Sequence, residues 1–171
     1  MSDLLGKISS TRGGLEKLVA SIPGYKGYKE KEMRREADRL LRETLARKYE
    51  EQWLRLNGVQ KRLLASGGIE YLDDLESAAT KLRGFIDKLK TAARGYSGFF
   101  NAVKVKEDAL DKLYEFDNAL NDGLLQISGT IDGIETAVGA KQGIPEAISR
   151  FDDQCRYLVT TFDQRKEVLT S

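Results

Sequence analysis

Residues 69–94 read IEYLDDLESAATKLRGFIDKLKTAAR, and their apolar side chains decide the fold. Leu72, Leu75, Ala79, Leu82, Ile86, Leu89 and Ala93 recur at spacings of three and four residues in turn. That is the heptad seam of a helix that packs knobs into holes against a neighbour. A strand would need a period of two, and the segment has none.

The same rule extends in both directions. After a turn at Gly95–Gly98 it resumes at Leu110, Leu113, Asp117, Leu120, Leu124, Ile127, Ile131, Ile134 and Val138. Gly139 to Gly143 breaks the chain, and the last segment carries Ile144, Ile148, Phe151, Cys155, Leu158, Phe162, Arg165 and Leu169. Upstream, a charged run from Tyr28 to Ala65 has the stripe Met33, Ala37, Leu41, Leu45, Tyr49, Gln52, Leu56, Val59 and Leu63. Asn57-Gly58 is a point where it can bend, and Ser66-Gly67-Gly68 stops it. Residues 3–22 present Leu4, Leu5, Ile8, Leu15, Leu18, Val19 and Ile22 on one helical face. Gly13-Gly14 weakens that helix and Pro23-Gly24 ends it.

These patterns predict an all-α fold, an elongated antiparallel up-down helical bundle of four long helices plus a short N-terminal helix. Heptad spacing predicts coiled-coil-like packing at about 20° between helices. Short connections predict that consecutive helices are neighbours. The chain of 171 residues reads as one domain, residues 1–171, because domains cluster near ~100–150 residues. Residues 1–22 form an amphipathic helix able to detach from it.

Composition removes whole classes of function. Histidine is absent and there is one cysteine. Ser-His-Asp and Cys-His catalysis, His-ligated metals and thiolate clusters are therefore excluded, as is an internal disulfide. No paired acids converge on a recognisable pocket, and no catalytic residue, cofactor or metal ligand is assigned. The glycines at 129, 133 and 139 do not make a phosphate loop, since the Gly-x4-Gly-Lys-Ser/Thr order is missing. Lys and Arg number 28 against 27 Asp and Glu, so global charge does not favour nucleic acid. MSDLLGKISS is no Sec-type signal, and no run approaches the ~20 apolar residues of a membrane span. The expectation is a bacterial-type cytoplasmic protein, with a membrane-peripheral position as the variant.

Two turns share one pattern. Gly24-Tyr25-Lys26-Gly27-Tyr28 and Gly95-Tyr96-Ser97-Gly98-Phe99 both read Gly-Tyr-x-Gly-aromatic. In an up-down path both fall at the same end of the bundle. Residues 24–39 and 81–106, which flank that end, hold 13 Lys/Arg against 5 Asp/Glu. Tyr25, Tyr28, Tyr96 and Phe99 are thus candidate contact residues, with Lys26, Lys29, Lys31 and Arg94 as a charged rim. The plainer alternative is that the aromatics plug the bundle end and the charges solvate long helices. Asp117 is the one acid in a seam. Buried there, it needs an Arg, Lys or Tyr hydroxyl as mate and specifies register. As a simple pair it would tolerate leucine at position 117, whereas loss of its partner would be destabilising by about 3 kcal/mol.

The stretch from Pro23 to Asp38, PGYKGYKEKEMRREAD, resembles a segment of an uncharacterised bacterial family of helical proteins. The resemblance includes the GYSGFF turn at Gly95–Phe100 and the segment Leu113–Asp117, LYEFD, and covers the first two-thirds of the chain. It implies a helical architecture and carries no activity. It further implies gene neighbours of the stomatin and prohibitin membrane-scaffold type, and a zinc-ribbon tail in some members that one cysteine cannot form. The function expected from all this is a non-enzymatic interaction or scaffold module that binds a protein partner through the basic, aromatic tip. The alternative is peripheral contact with anionic lipid through the N-terminal helix and the same tip. Self-association through bundle faces is open to either.

Overall fold

The computed structural model describes residues 14–28, 34–92 and 107–170. Among them are five α-helices and no strand: α1 (14–20), α2 (Arg34–Ala65), α3 (Leu72–Thr91), α4 (Glu107–Ala140) and α5 (Ile144–Thr170). A 3-10 turn, Ile69–Tyr71, leads into α3. At 1.5 Å per residue the 34 residues of α4 extend for about 50 Å, several times the 8–10 Å between packed helix axes. No described helix is long and apolar enough to cross a membrane.

Helix ends follow from local chemistry. Behind α2, Gly68 N–H reaches Leu63 C=O at 2.9 Å and Gly67 N–H reaches Leu64 C=O at 3.1 Å. This is the Schellman pattern, with Gly67 in the left-handed region. α4 ends in the same pattern, but there Lys141 takes the left-handed position with φ 54°. Asn57-Gly58 does not interrupt α2, which is helical throughout.

Pairing across the bundle sets direction and neighbours. Arg42 with Leu89 and Trp53 with Ala79 run α3 antiparallel to α2. Tyr49 with Leu120 and Arg55 with Asp132 run α4 parallel to α2. Lys81 with Asp152 and Lys88 with Asp163 run α5 parallel to α3. The path is therefore up-down-up-down, and the ring order is α2, α3, α5, α4. Consecutive helices are neighbours within each hairpin, α2–α3 and α4–α5. The expectation fails between α3 and α4, which face each other across a diagonal. Residues 93–106, which join them, are too many to force adjacency.

Each long helix thus touches two neighbours, and its buried stripe is wider than a two-helix seam. In α3, Ala78 and Phe85 join Leu75, Ala79, Leu82, Ile86 and Leu89 in the core, while Leu72 is only half-buried. In α4, Gly123 lies in the core and Leu124 beside it. Halfway along the bundle one layer ties all four helices together. Tyr49 meets Phe85 edge-on at 4.8 Å between ring centroids, Phe85 meets Phe162 at 6.1 Å, and the Tyr49 hydroxyl donates to Leu120 C=O at 2.5 Å. Gly123 makes room for this layer. A Cβ there would lie 2.6 Å from both Leu158 Cδ2 and the Tyr49 hydroxyl.

α1 is part of the bundle. Leu15, Leu18 and Ile22 are buried in the main core, and Gly14 abuts Asn121 of α4.

Gly123→Ala tests the central layer. The substitution gains about 1 kcal/mol of helix propensity but overpacks a contact whose penalty is about 1–3 kcal/mol. The expected outcome is net destabilisation by urea unfolding, whereas Gly129→Ala, with open space around it, should stabilise.

Candidate functional site

The end of the bundle that carries the first Gly-Tyr-x-Gly-Tyr turn is built around a buried polar network. Gly24 and Gly27, at φ 81° and 74°, let the chain double back after α1. That reversal drives Tyr28 into the bundle, where it is fully buried. Its hydroxyl donates to Asp117 Oδ2 at 2.8 Å, its N–H to the Tyr114 hydroxyl at 3.0 Å, and its C=O accepts from Arg34 Nε at 2.5 Å. Tyr28 and Tyr114 also pack ring against ring at 5.0 Å.

Arg165, from the last turns of α5, is the centre of this network and has no exposed surface. Its Nε donates to Asp117 Oδ1 at 2.7 Å, and its Nη2 to Asp38 Oδ1 at 2.5 Å and to the Tyr28 hydroxyl at 3.3 Å. Asp38 accepts a further bond on Oδ2 from Arg42 Nε at 2.8 Å, and Arg42 Nη1 donates to Leu89 C=O at 2.7 Å. Two carboxylates and two guanidiniums from α2, α4 and α5 are thus joined out of solvent, with the turn and α3 bonded to them. Around them Tyr28, Ala37, Leu113 and Leu169 form a small apolar cluster of their own, flanked by Tyr25, Ala92, Leu110 and Tyr114. Arg165 Nη1 and the Tyr25 hydroxyl are buried with no partner among the described residues.

Electrostatics follow from burial. Burial pushes the Asp117 carboxyl up, and Arg165 and Tyr28 offset only part of that. Burial acts to lower Arg165, but Asp117 and Asp38 outweigh it and the guanidinium keeps its proton. Burial, with Asp117 adding to it, raises both Tyr25 and Tyr28 far above the usual phenol range. Cys155 is also buried, and its thiol is pushed up to about 12. A thiol so protonated is a poor nucleophile.

The structure redistributes the expected site residues. Tyr28 is not a contact residue. Its side chain is an internal anchor, because its hydroxyl finds a carboxylate only inside the bundle. Tyr25 has its hydroxyl buried and its ring half-buried against both apolar clusters, so the first turn is chiefly a plug. Lys26 is exposed. Lys29, Lys31, Arg94, Tyr96 and Phe99 lie outside the described residues. So does the second turn, although Ala92, at the end of α3, packs in the cluster of Tyr28. Asp117 is fully buried, and its mates are Arg165 and Tyr28. Gln52 is half-buried and accepts from Arg55 on its own helix, so it specifies no register.

Much of the basic collar is paired within the bundle. Lys81 meets Asp152, Arg83 and Lys90 both meet Glu50, and Lys88 meets Asp163. Arg83 also stacks over Trp53 at 5.1 Å. Asp38 and Arg42 are the network members that sequence reading passes over. At i and i+4 on a charged helix they have the spacing of a surface ion pair. The one signal is their position beside Leu41 and Leu45, on a helix that must bury a wide face. Compared with protein-family models, curated proteins and solved structures, the chain matches none.

Two outcomes test the network. Arg165→Met should be destabilising by about 3–5 kcal/mol by urea unfolding, because it leaves two buried carboxylates facing one guanidinium. Asp117→Leu should also destabilise, unlike in a simple pair, since Arg165 and the Tyr28 hydroxyl both lose an acceptor. The second test is alkaline pH. Folded Tyr28 and Tyr25 hold their protons far above the model-peptide value near 10, so the unfolded chain releases protons first. Stability should be full below pH ~10 and fall above it. Tyr28→Phe should make the urea midpoint flatter between pH ~9 and ~11.

Proposed function

We propose that the protein is a non-enzymatic helical interaction module that engages an acidic protein partner at the bundle end capped by residues 23–28. The observation that supports this reading is the way the turn is held. Tyr28 fastens it from below by hydrogen bonds to Asp117, Tyr114, Arg34 and Arg165, and Lys26 is left exposed between Gly24 and Gly27, which take the positive φ that the turn requires. A turn whose backbone is already held loses little backbone entropy on binding, which is the advantage of preorganisation. Lys29, Lys31 and Arg94 would add to the positive rim, and Tyr96 and Phe99 would supply apolar contact. Tyr28 and Asp117 act beneath the surface, as positioning residues. The long bundle serves as a spacer that fixes where this end sits.

Contact with anionic lipid is less well supported. Leu15 and Leu18 of α1, and Ile22 just beyond it, are buried in the protein core. Leu4, Leu5 and Ile8, the rest of that apolar face, lie outside the described residues.

Changing Lys26, Lys29 and Lys31 together to glutamate tests the reading. Copurification from the native host should recover a protein that is retained by the wild type, released by raised salt, and lost from the variant, with circular dichroism unchanged. Retention of the same proteins by both chains would remove the tip as the interface. Flotation of the wild type, and not the variant, with phosphatidylserine vesicles would instead favour lipid.

A further inference from the structure

The direction of α1 shows where the chain before it leads. Gly27 and Tyr28 meet α4 at Tyr114. A Cβ on Gly27 would lie 3.2 Å from the Tyr114 hydroxyl, which accepts from Tyr28 N–H at 3.0 Å. Gly14 meets α4 farther along, where a Cβ would lie 3.2 Å from Asn121 Nδ2 and 3.9 Å from Asp122 Oδ1. Residues 14–28 therefore run antiparallel to α4, and α1 extended backwards leads along α4 past Asp122. The next turn of that face holds Leu125. It stands four residues after Asn121 and three after Asp122, so it shares their side of the helix. At 80% it is the most exposed large apolar side chain among the described residues. Single exposed leucines are ordinary, but this one stands in the path of the chain. Gly129 and Gly133, on the following turns, have open space around them, so another backbone can come close.

We propose that residues 3–13 continue α1 along α4 and cover Leu125 with the apolar face of Leu4, Leu5 and Ile8. Length fits. The thirteen residues before Gly14 reach about 20 Å as a helix, enough to pass α4 from Asp122 to Gly133. Phase fits too. Leu4 and Ile8 stand eleven and seven residues before Leu15, close to three and two whole turns. A continuous helix thus carries them on the face by which Leu15 and Leu18 enter the core. Charge is complementary. Residues 1–13 hold Lys7 and Arg12 against Asp3, whereas α4 from Asn118 to Ala140 holds Asp122, Asp132 and Glu135 and no basic residue. Gly13 and Gly14 weaken the helix, and packing against α4 offsets that weakness. Tethering favours this occupant over a second copy, because a segment joined at Gly14 meets the face at an effective concentration in the millimolar range. The docked segment would withhold from lipid the apolar face that a membrane anchor needs.

Thermal unfolding of full-chain variants tests the docking. If Leu125 is covered, Leu125→Ala lowers Tm by about 3–6 °C, as for a partly buried leucine in a chain of this size. If it stays in water, alanine leaves Tm unchanged or slightly higher, since alanine is the better helix former, and the proposal fails. The cover is identified by a double-mutant cycle. In a chain with Leu4, Leu5 and Ile8 all changed to serine, Leu125→Ala should no longer move Tm. Additive losses overturn the proposal, because they place the serine positions and Leu125 in separate contacts. A loss that depends on protein concentration, with a dimer by light scattering, gives the face to a second copy and also overturns it. So does the serine variant losing flotation with phosphatidylserine vesicles while keeping the wild-type Tm, which would assign the segment to lipid.

Discussion

The guanidinium of Arg165 is the constraint on which this bundle end depends. A buried charge is tolerated only where its counter-charges stand at hydrogen-bond distance. Here those counter-charges come from separate helices, Asp38 on α2 and Asp117 on α4. Apolar seams alone permit alternatives, because a helix slid by one heptad presents similar leucines and isoleucines. The same slide would carry Arg165 about 10 Å along its axis, away from both carboxylates, and leave Asp117 buried without a counter-charge. The network therefore selects one register for α2, α4 and α5, and the tyrosine that closes it selects the path of the chain before α2.

The rest of the bundle works by shape. Halfway along, Tyr49, Phe85 and Phe162 fill the space between four helices, and Gly123 is the position that yields. This layer is largely apolar, with one phenol satisfied by a helix carbonyl. It supplies burial, the dominant favourable term in folding, while the charged end supplies uniqueness. The two hairpins meet through pairs of like-directed helices, α2 with α4 and α3 with α5. Cross-helix ion pairs such as Lys88–Asp163 and Arg55–Glu135 decorate those contacts at the surface. Half-exposed pairs of this kind are worth ~0–1 kcal/mol each, so they guide pairing and do not hold the fold.

Much of this was legible in the sequence, and for a physical reason. A helix that buries one face writes a period near 3.5 into its side chains, and α3, α4 and α5 do so nearly without interruption. Asp117 occupies a position where that period demands an apolar residue, which betrays a buried acid in need of a mate; Arg165 stands in the last stripe, but no period pairs the two. The ring order of the helices is not written in any period. It depends on which seam meets which, and residues 93–106 are long enough to allow either adjacency or a diagonal. Asp38 and Arg42 were hidden because an i, i+4 Asp–Arg pair looks the same on a solvated face as in a core. The distinction lies in what packs over them, namely Arg165 from more than a hundred residues away.

The fate of the aromatic turn has the same logic. Tyrosine between two glycines is ambiguous in sequence, because its ring can seal a core and its hydroxyl can face water. The choice is made by the acceptor. Asp117 lies inside the bundle and is pushed towards its neutral form by burial, so a phenol that donates to it stabilises the charge. Once Tyr28 answers that demand, the two glycines allow the positive φ that the turn around it needs, and Lys26 is left outside. Any recognition at this end therefore inherits its geometry from a carboxylate buried beneath it, and the tip and the core form one structure with two faces.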